Sequence, residues 1–222
     1  VVHALMRAVG PMGTLMMPTH TGHLSEPSHW RNPPVPAEWW DEIRLRMPAF
    51  RADETPSYFM GAIPECFRAR SDARRSTHPN FSFCAWGLHR DALVETHKLE
   101  DGLGESSPLG RFYSLGGHVL LLGVGHDSNT TLHLGEYRAH WTGKHHKQSG
   151  APVNEGGERR WVTFSDLDVD ADDFAKLGAD FGAQTTLEQR GRVGIGEARL
   201  MPAQPLVDFA VGWLEKHRGR TG

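Results

Sequence analysis

Two cysteines in 222 residues leave no disulfide framework, since chains stapled by bridges in an oxidising compartment carry several paired half-cystines. That scarcity points to a reducing, cytoplasmic setting. Cys66 falls in an expected helix and Cys84 in an expected strand, and each reads as a buried small hydrophobe. No apolar run comes near the roughly 18–20 residues needed to cross a bilayer. The opening VVHALMRAVG is also too short and too polar for a secretory signal. No membrane partner is expected. Positive charge is not in excess either: 24 Lys and Arg face 27 Asp and Glu, for a net charge of −3. This excludes a dedicated nucleic-acid binder, which shows a basic stripe, and permits a cationic substrate. No internal repeat is visible. What remains, 38% hydrophobic and 23% charged residues, is the make-up of a water-soluble protein with a packed core.

Strand-like and helix-like segments alternate along the chain, which favours an α/β fold. Residues 1–9 read as a helix closed by Gly10 as a left-handed cap. A helix at the very start needs a partner, so a strand and loop are expected upstream of Val1. Residues 14–17 read as a short buried strand, and residues 18–38 as a Pro- and His-rich loop of a length typical of lids. Thr55 and Pro56 open an expected helix whose apolar face is Phe59, Met60, Ile63 and Phe67. Residues 81–86 and 119–122 read as strands, the second as a buried apolar run. Ser107 and Pro108 cap a further helix, with Leu109, Phe112 and Tyr113 inward and Gly116 as its stop. Helices are expected over residues 130–141, 172–181 and 204–217, and a strand over 159–164. Residues 150–158 (GAPVNEGGE) read as a hairpin or surface loop. No linker is evident, so one domain over residues 1–222 is expected, with a later lobe toward the C-terminus.

The segment LLLGVGHDSNTTLHLGEY, residues 120–137, carries most of the chemistry. An apolar strand turns at Gly123 and Gly125 and feeds a helix. Thr130, His133 and Glu136 follow at a spacing of three and therefore share one face. A strand passing through glycines into a polar helix start is a common way to place a base against a ligand.

Together with TLMMPTHT (residues 14–21), ETPSYFMGAIPECFR (54–68) and RRSTHPNFSFCAWG (74–87), this segment resembles the aminoglycoside 3-N-acetyltransferase family. The specific part is the RS-x-HP motif followed by GVG-x-D-x-x-T-x-x-H-x-x-E. The likeness extends through ERRWVTF, RGRVGIGEARL and LVDFAVGWLE, covering about residues 1–218. It implies acetyl transfer from acetyl-CoA to the 3-amino group of a 2-deoxystreptamine ring, giving an inactivated antibiotic. It also implies a three-layer α/β/α sandwich with a central mixed sheet and a cleft where coenzyme A and the aminoglycoside meet. Family members carry an N-terminal strand with a His-Ser-Ser-Leu type turn that contacts the cofactor. Nothing in this chain matches it.

That reaction needs a neutral amine, while sugar amines are largely protonated near pH 7, so a general base helps. His133 in the first turn of its helix is the candidate, because the positive helix end disfavours imidazolium. A carboxylate is expected to fix its tautomer: Glu136 one turn on, or Asp166 or Asp168 from beyond the strand. The thiolate leaving group, with a reference pKa of about 8.5, needs no strong acid. Ser76 and Thr77 are candidate oxyanion donors and cofactor contacts, or else a turn before Pro79. Arg75 and Thr19 are further candidate cofactor contacts. Ammonium groups of the sugar call for carboxylates. The candidates are Asp53, Glu65, Asp127, Glu188 and Glu197, with Asp127 equally suited to capping the His133 helix. Glu188 and Glu197 flank a Gly-rich stretch, residues 190–196, that reads as a mobile cleft wall. No metal is expected. Two rival readings are a metal-dependent hydrolase built on His20, His23 and His29, and a non-catalytic protein that sequesters cationic drugs.

Overall fold

Strand pairing, more than helix packing, separates this molecule into its parts. The structure is a computed structural model that describes residues 1–219. In chain order the elements are α1 (Val2–Val9), β1 (Thr14–Pro18), α2 (Trp40–Arg46), α3 (Ala62–Arg68), β2 (Arg74–Arg75), β3 (Phe83–Gly87), α4 (Arg90–Val94), α5 (Pro108–Ser114), β4 (His118–Leu122), α6 (Leu132–Arg138), β5 (His146–Glu155), β6 (Glu158–Leu167), α7 (Phe174–Gln184), β7 (Gln189–Val193), β8 (Gly196–Pro202) and α8 (Ala203–Arg218). Packing divides them into two units. The first comprises Val1–Gly102 and Lys147–Asp166; the second comprises Leu103–His146 and the chain from Leu167 onward.

In the first unit β3 is the centre of an antiparallel sheet, order β1-β3-β2, with Met17 opposite Cys84 and Arg75 opposite the same residue. One face of this sheet packs with α1 and α3 through Val2, Phe67 and Cys84. Phe67 is fully buried. A second cluster, Leu24, Met47 and Phe50, gathers Trp30, Ile43 and Trp161. β5 and β6 form a two-stranded hairpin joined by Gly156 and Gly157. Both glycines have positive φ, 62° and 94°, as a tight two-residue turn between twisted strands requires.

In the second unit the antiparallel order is β4-β8-β7, with Leu121 opposite Arg199 and Gly191 opposite Ala198. Its core joins Val119 and Leu121 to Leu132 of α6, Phe174, Leu177 and Phe181 of α7, and Leu206, Ala210, Trp213 and Leu214 of α8. α6 approaches α8 closely at Gly135, where an added Cβ would stand 2.9 Å from the Ala210 Cβ.

The α/β character expected from the sequence is present, but the described strands form three small sheets and no single central mixed sheet. The helix expected from Thr55 starts only at Ala62. Gly61, at φ 91° and ψ 170°, cannot propagate a helix, and Phe59, at φ 56°, is 87% exposed. Thr55 Oγ1 instead accepts from the Arg51 N–H. The loop after β1 holds two short 3-10 turns, Pro27–His29 and Ala37–Trp39. Buried Thr19, Thr21 and Leu24 pin its first part. α2, α4 and the β7–β8 hairpin carry no strong periodicity and were not expected. Residues 190–196, read as a mobile wall, are most of β7, the turn and the first residue of β8, turning at Gly194 with φ 60°. β4 alternates instead of being buried throughout, with Leu120 41% exposed between buried Val119 and Leu121. Gly10 has positive φ but an extended ψ of −178°. Of the two cysteines Cys84 is buried and Cys66 exposed, both free.

The Gly135 approach sets a packing limit. Gly135→Val is expected to lower unfolding stability by about 1–3 kcal/mol through overpacking against Ala210, measured by urea denaturation.

Candidate active site

His133 is the second residue of α6, on the turn following the Gly-rich exit from β4. Its ring packs on Phe174 of α7 with centroids 4.8 Å apart, and its side chain is 15% exposed. Its Nδ1 hydrogen-bonds to Glu136 Oε2, one turn along the helix. Glu136 is fully buried. Its other oxygen, Oε1, accepts from the Asp170 N–H at 3.0 Å and from Arg218 Nη1 at 2.5 Å. Arg218, near the end of α8, also binds both oxygens of Asp173 at 2.6 and 2.8 Å and the Asp170 carbonyl at 2.6 Å. Beside two carboxylates its guanidinium is held well above the usual arginine range in spite of burial. The acceptor role of Glu136 places the ring proton on Nδ1, which leaves Nε2 with the lone pair. This arrangement can take a proton.

The other carboxylates expected in this unit are disposed differently. Asp168, a rival for orienting His133, stands 3.5 Å from His145 Nε2. The other rival, Asp166, is buried in the first unit, where it accepts from the Gly102 N–H. Asp127 is exposed in a 3-10 turn, His126–Ser128, and does not cap α6. The side chain of Asn129 orders the turn before the helix instead, its Oδ1 accepting from the Thr131 N–H. Glu188 is 2% exposed, bound to His126 Nε2 at 2.7 Å and Arg190 Nε at 2.6 Å. Burial pushes its carboxyl up, but these hydrogen bonds outweigh burial and hold it below the usual range. Glu197 is exposed on β8 and pairs with Arg199.

In the first unit the expected cofactor set is mostly internal. Arg75 Nε donates to Thr19 Oγ1 and Ser82 Oγ, Nη1 to the Thr55 carbonyl and Nη2 to the Thr19 carbonyl. Its guanidinium lies 4.9 Å from the centre of the Phe50 ring. Burial lowers its pKa to about 10, so it remains cationic. Thr19 and Ser76 are fully buried. Ser76 Oγ lies 2.9 Å from His97 Nδ1, and His97 Nε2 lies 2.7 Å from the Gly102 carbonyl. This fixes the serine as donor to Nδ1. Beside that pair, burial and then His97 press the His78 imidazole down to about 3. Thr77 alone of the motif is exposed. It shares an open cleft of about 470 Å³ with Asp53, Arg51, Phe50 and Asn154. Asp53 and Thr77 are thus the two expected ligand contacts that the fold brings together. Glu65 braces a turn instead: it accepts from Ser57 N and Oγ at 2.8 and 2.7 Å and from Arg68 Nη2 at 2.6 Å.

The residues the sequence reading missed are Arg218, Asp173 and Phe174 around the His133–Glu136 pair, and His97 and His126 as partners of Ser76 and Glu188. The link from Glu136 to Arg218 spans 82 residues, so no local spacing announces it. Two of the three histidines of the rival metal reading pack against rings: His20 edge-on against Phe81 and Phe83, and His23 tilted against Tyr58. Among the described residues no group of three or more His, Cys, Asp and Glu side chains could hold a metal ion.

Glu65 gives a pH test. Hydrogen bonds from Arg68 lower its pKa to about 2 from about 4.3 in an unfolded chain. A depressed carboxyl stabilises the fold above the unfolded value, and that contribution fades as pH falls from about 4.3 toward 2. Glu65→Gln is therefore expected to reduce the stability lost across that interval in urea unfolding, with the rest of the acid transition unchanged.

Comparison with known proteins gives a consistent answer. The family profile described as aminoglycoside 3-N-acetyltransferase matches residues 1–215. The SPbeta prophage-derived aminoglycoside N(3')-acetyltransferase-like protein YokD of Bacillus subtilis is 42% identical over 215 residues, 96% of this chain and 78% of that protein. The crystal structure of YokD matches with a TM-score of 0.95 over 100% of this chain and 82% of its own, at 41% identity. The structure of AAC-IIIb with CoASH matches at 0.85 and 28% identity, over 100% and 84% of the two chains. That of AAC-VIa bound to sisomicin matches at 0.87 and 31%, over 99% and 84%. The chain belongs to the aminoglycoside 3-N-acetyltransferase family.

Proposed function

We propose that His133 is the general base in transfer of an acetyl group from acetyl-CoA to the 3-amino group of the 2-deoxystreptamine ring of aminoglycoside antibiotics. The product is inactivated drug, and the physiological outcome is resistance. The observation that carries the assignment is the Nδ1 hydrogen bond to buried Glu136. It leaves Nε2 as the ring nitrogen able to accept a proton. Relatives crystallised with CoASH and with sisomicin support both ligand classes.

The amine nitrogen attacks the thioester carbon, and a C–N bond forms. The proton it loses passes to His133 Nε2. Glu136 holds the tautomer before that step and faces the imidazolium after it. The tetrahedral intermediate collapses with C–S cleavage, and the thiolate, with a reference pKa of about 8.5, leaves without a strong acid. Thr77, the exposed hydroxyl of its motif, is the candidate donor toward the acyl oxygen or the pantetheine arm. Asp53, Asp127 and Glu197 present exposed carboxylates suited to ammonium groups. Thr19, Arg75 and Ser76 serve this site from inside, by ordering the segment that displays Thr77. Asp168 is assigned no contact with His133. The three-layer arrangement belongs to the same proposal. So does a cytosolic location, consistent with two free thiols. Among the described residues no helix is long and apolar enough to cross a membrane.

Thiol release from acetyl-CoA with a panel of aminoglycosides tests this reading. His133→Ala is expected to lose at least about 10²-fold in kcat. An unchanged rate would remove His133 from the mechanism, and drug binding without thiol release would favour sequestration. Glu136→Gln offers Nδ1 an amide N–H and stabilises the wrong tautomer. Its kcat is expected to fall by about 10²–10⁴-fold, with the fold retained by circular dichroism.

A further inference from the structure

The proposed mechanism leaves one buried histidine–carboxylate pair unused. His126 and Glu188 have side chains 1% and 2% exposed, with Nε2 and Oε2 2.7 Å apart. The two residues are separated by 62 positions in the chain. His126 lies in the turn that leads into α6. Its Nδ1 stands 3.3 Å from Asn129 Nδ2, and Asn129 Oδ1 accepts from the Thr131 N–H at 3.2 Å. Asn129 Nδ2 can only donate, so Nδ1 accepts and Nε2–H donates to Glu188. The result is a directed chain in which Thr131 N–H donates to Asn129, Asn129 to His126 and His126 to Glu188, with Thr131 the residue just before α6. The ring lies directly against the backbone of α7: an added Cβ on Gly178 would stand 2.0 Å from it. One turn earlier on α7, Phe174 packs on the His133 ring. One helix therefore backs both histidines.

We infer that His126 is a positioning residue: anchored by Glu188 and the bare backbone of Gly178, it fixes the start of α6 and so aims His133 Nε2. This rests on the assignment of His133 as base. It gives Glu188 an internal role in place of contact with the cationic sugar.

The experiment is steady-state thiol release with acetyl-CoA and sisomicin, for His126→Leu, His126→Gln and Glu188→Gln. The His126 variants are made in both the native and the His133→Ala backgrounds. His126→Leu is expected to lower kcat about 10–100-fold, the scale for groups that orient a reacting residue. KM for both substrates should stay within about twofold. His126→Gln, whose amide N–H can still reach Glu188, is expected to recover most of the loss. In the His133→Ala background His126→Leu should change the residual rate less than about twofold, because coupled residues are non-additive. An equal loss in both backgrounds overturns the inference and leaves a structural role. A rise in the sisomicin KM of Glu188→Gln at unchanged kcat also overturns it, and assigns that carboxylate to substrate. If His126→Leu fails to fold, Glu188→Gln, likewise made in both backgrounds, carries the same comparison. Failure of the base assignment shows separately, as full activity in the single His133→Ala variant.

Discussion

A carboxylate with no exposure to water, Glu136, is the constraint on which the second unit is organised. Taking an ionised carboxyl out of water costs several kcal/mol even after relaxation, unless charge and hydrogen bonds replace the lost solvent. Here the replacement comes from three directions: His133 on its own helix, the Asp170 amide after β6, and Arg218 from α8. Those three lie far apart in sequence, so the carboxylate ties together the start of α6, the entry to α7 and the end of α8. Close packing of α6 on α8 at Gly135 and Ala210 serves the same end. A side chain at position 135 would push away the helix that delivers Arg218.

The first unit solves a similar problem with the opposite charge. Buried Arg75 is surrounded by neutral acceptors, two carbonyls and two hydroxyls, instead of a carboxylate. A planar guanidinium with several fixed donors can bridge segments in this way where a point charge cannot. The segments it bridges are the loop after β1, the turn at Thr55 and the stretch before β3. The ordering of these backbones leaves Thr77 as the outward residue between buried Ser76 and His78. Polar residues that look like ligand contacts can therefore be the reason another residue is one.

How much of this the sequence reveals depends on range. His133 and Glu136 are legible because a three-residue spacing on a helix is a local fact. So are the capped start of α5, whose Ser107 accepts from Leu109, and α8, whose apolar positions keep helical register over 16 residues. The failures are at short elements and at distant partners. The helix expected from Thr55 fails because positive φ at Phe59 and Gly61 breaks the run after a good capping pair. Glu188 reads as a carboxylate open to a cationic sugar because its partner, His126, lies 62 residues away. Arg75 and Ser76 carry the residue types of a ligand site, yet only three-dimensional contacts show that their donors and acceptors are already used.

The charges around His133 also bear on why a costly buried network persists where apolar packing would be more stable. One guanidinium, Arg218, faces two carboxylates, Glu136 and Asp173. Before proton transfer the group of three is left with one uncompensated negative charge beside a neutral ring. In the proposed reaction the ring takes a proton from the attacking amine, which matches that charge without moving a side chain. Electrostatic stabilisation of this kind works because the dipoles and charges are already oriented when the reaction occurs. Without Asp173, Arg218 would neutralise Glu136 and leave nothing for the imidazolium. Without Arg218, buried Glu136 and partly exposed Asp173 would repel each other with no cation between them. The pair of acids sharing one arginine thus ties α8 to α6 and to the entry of α7, and in the proposed reaction the same set matches the charge that forms on the ring.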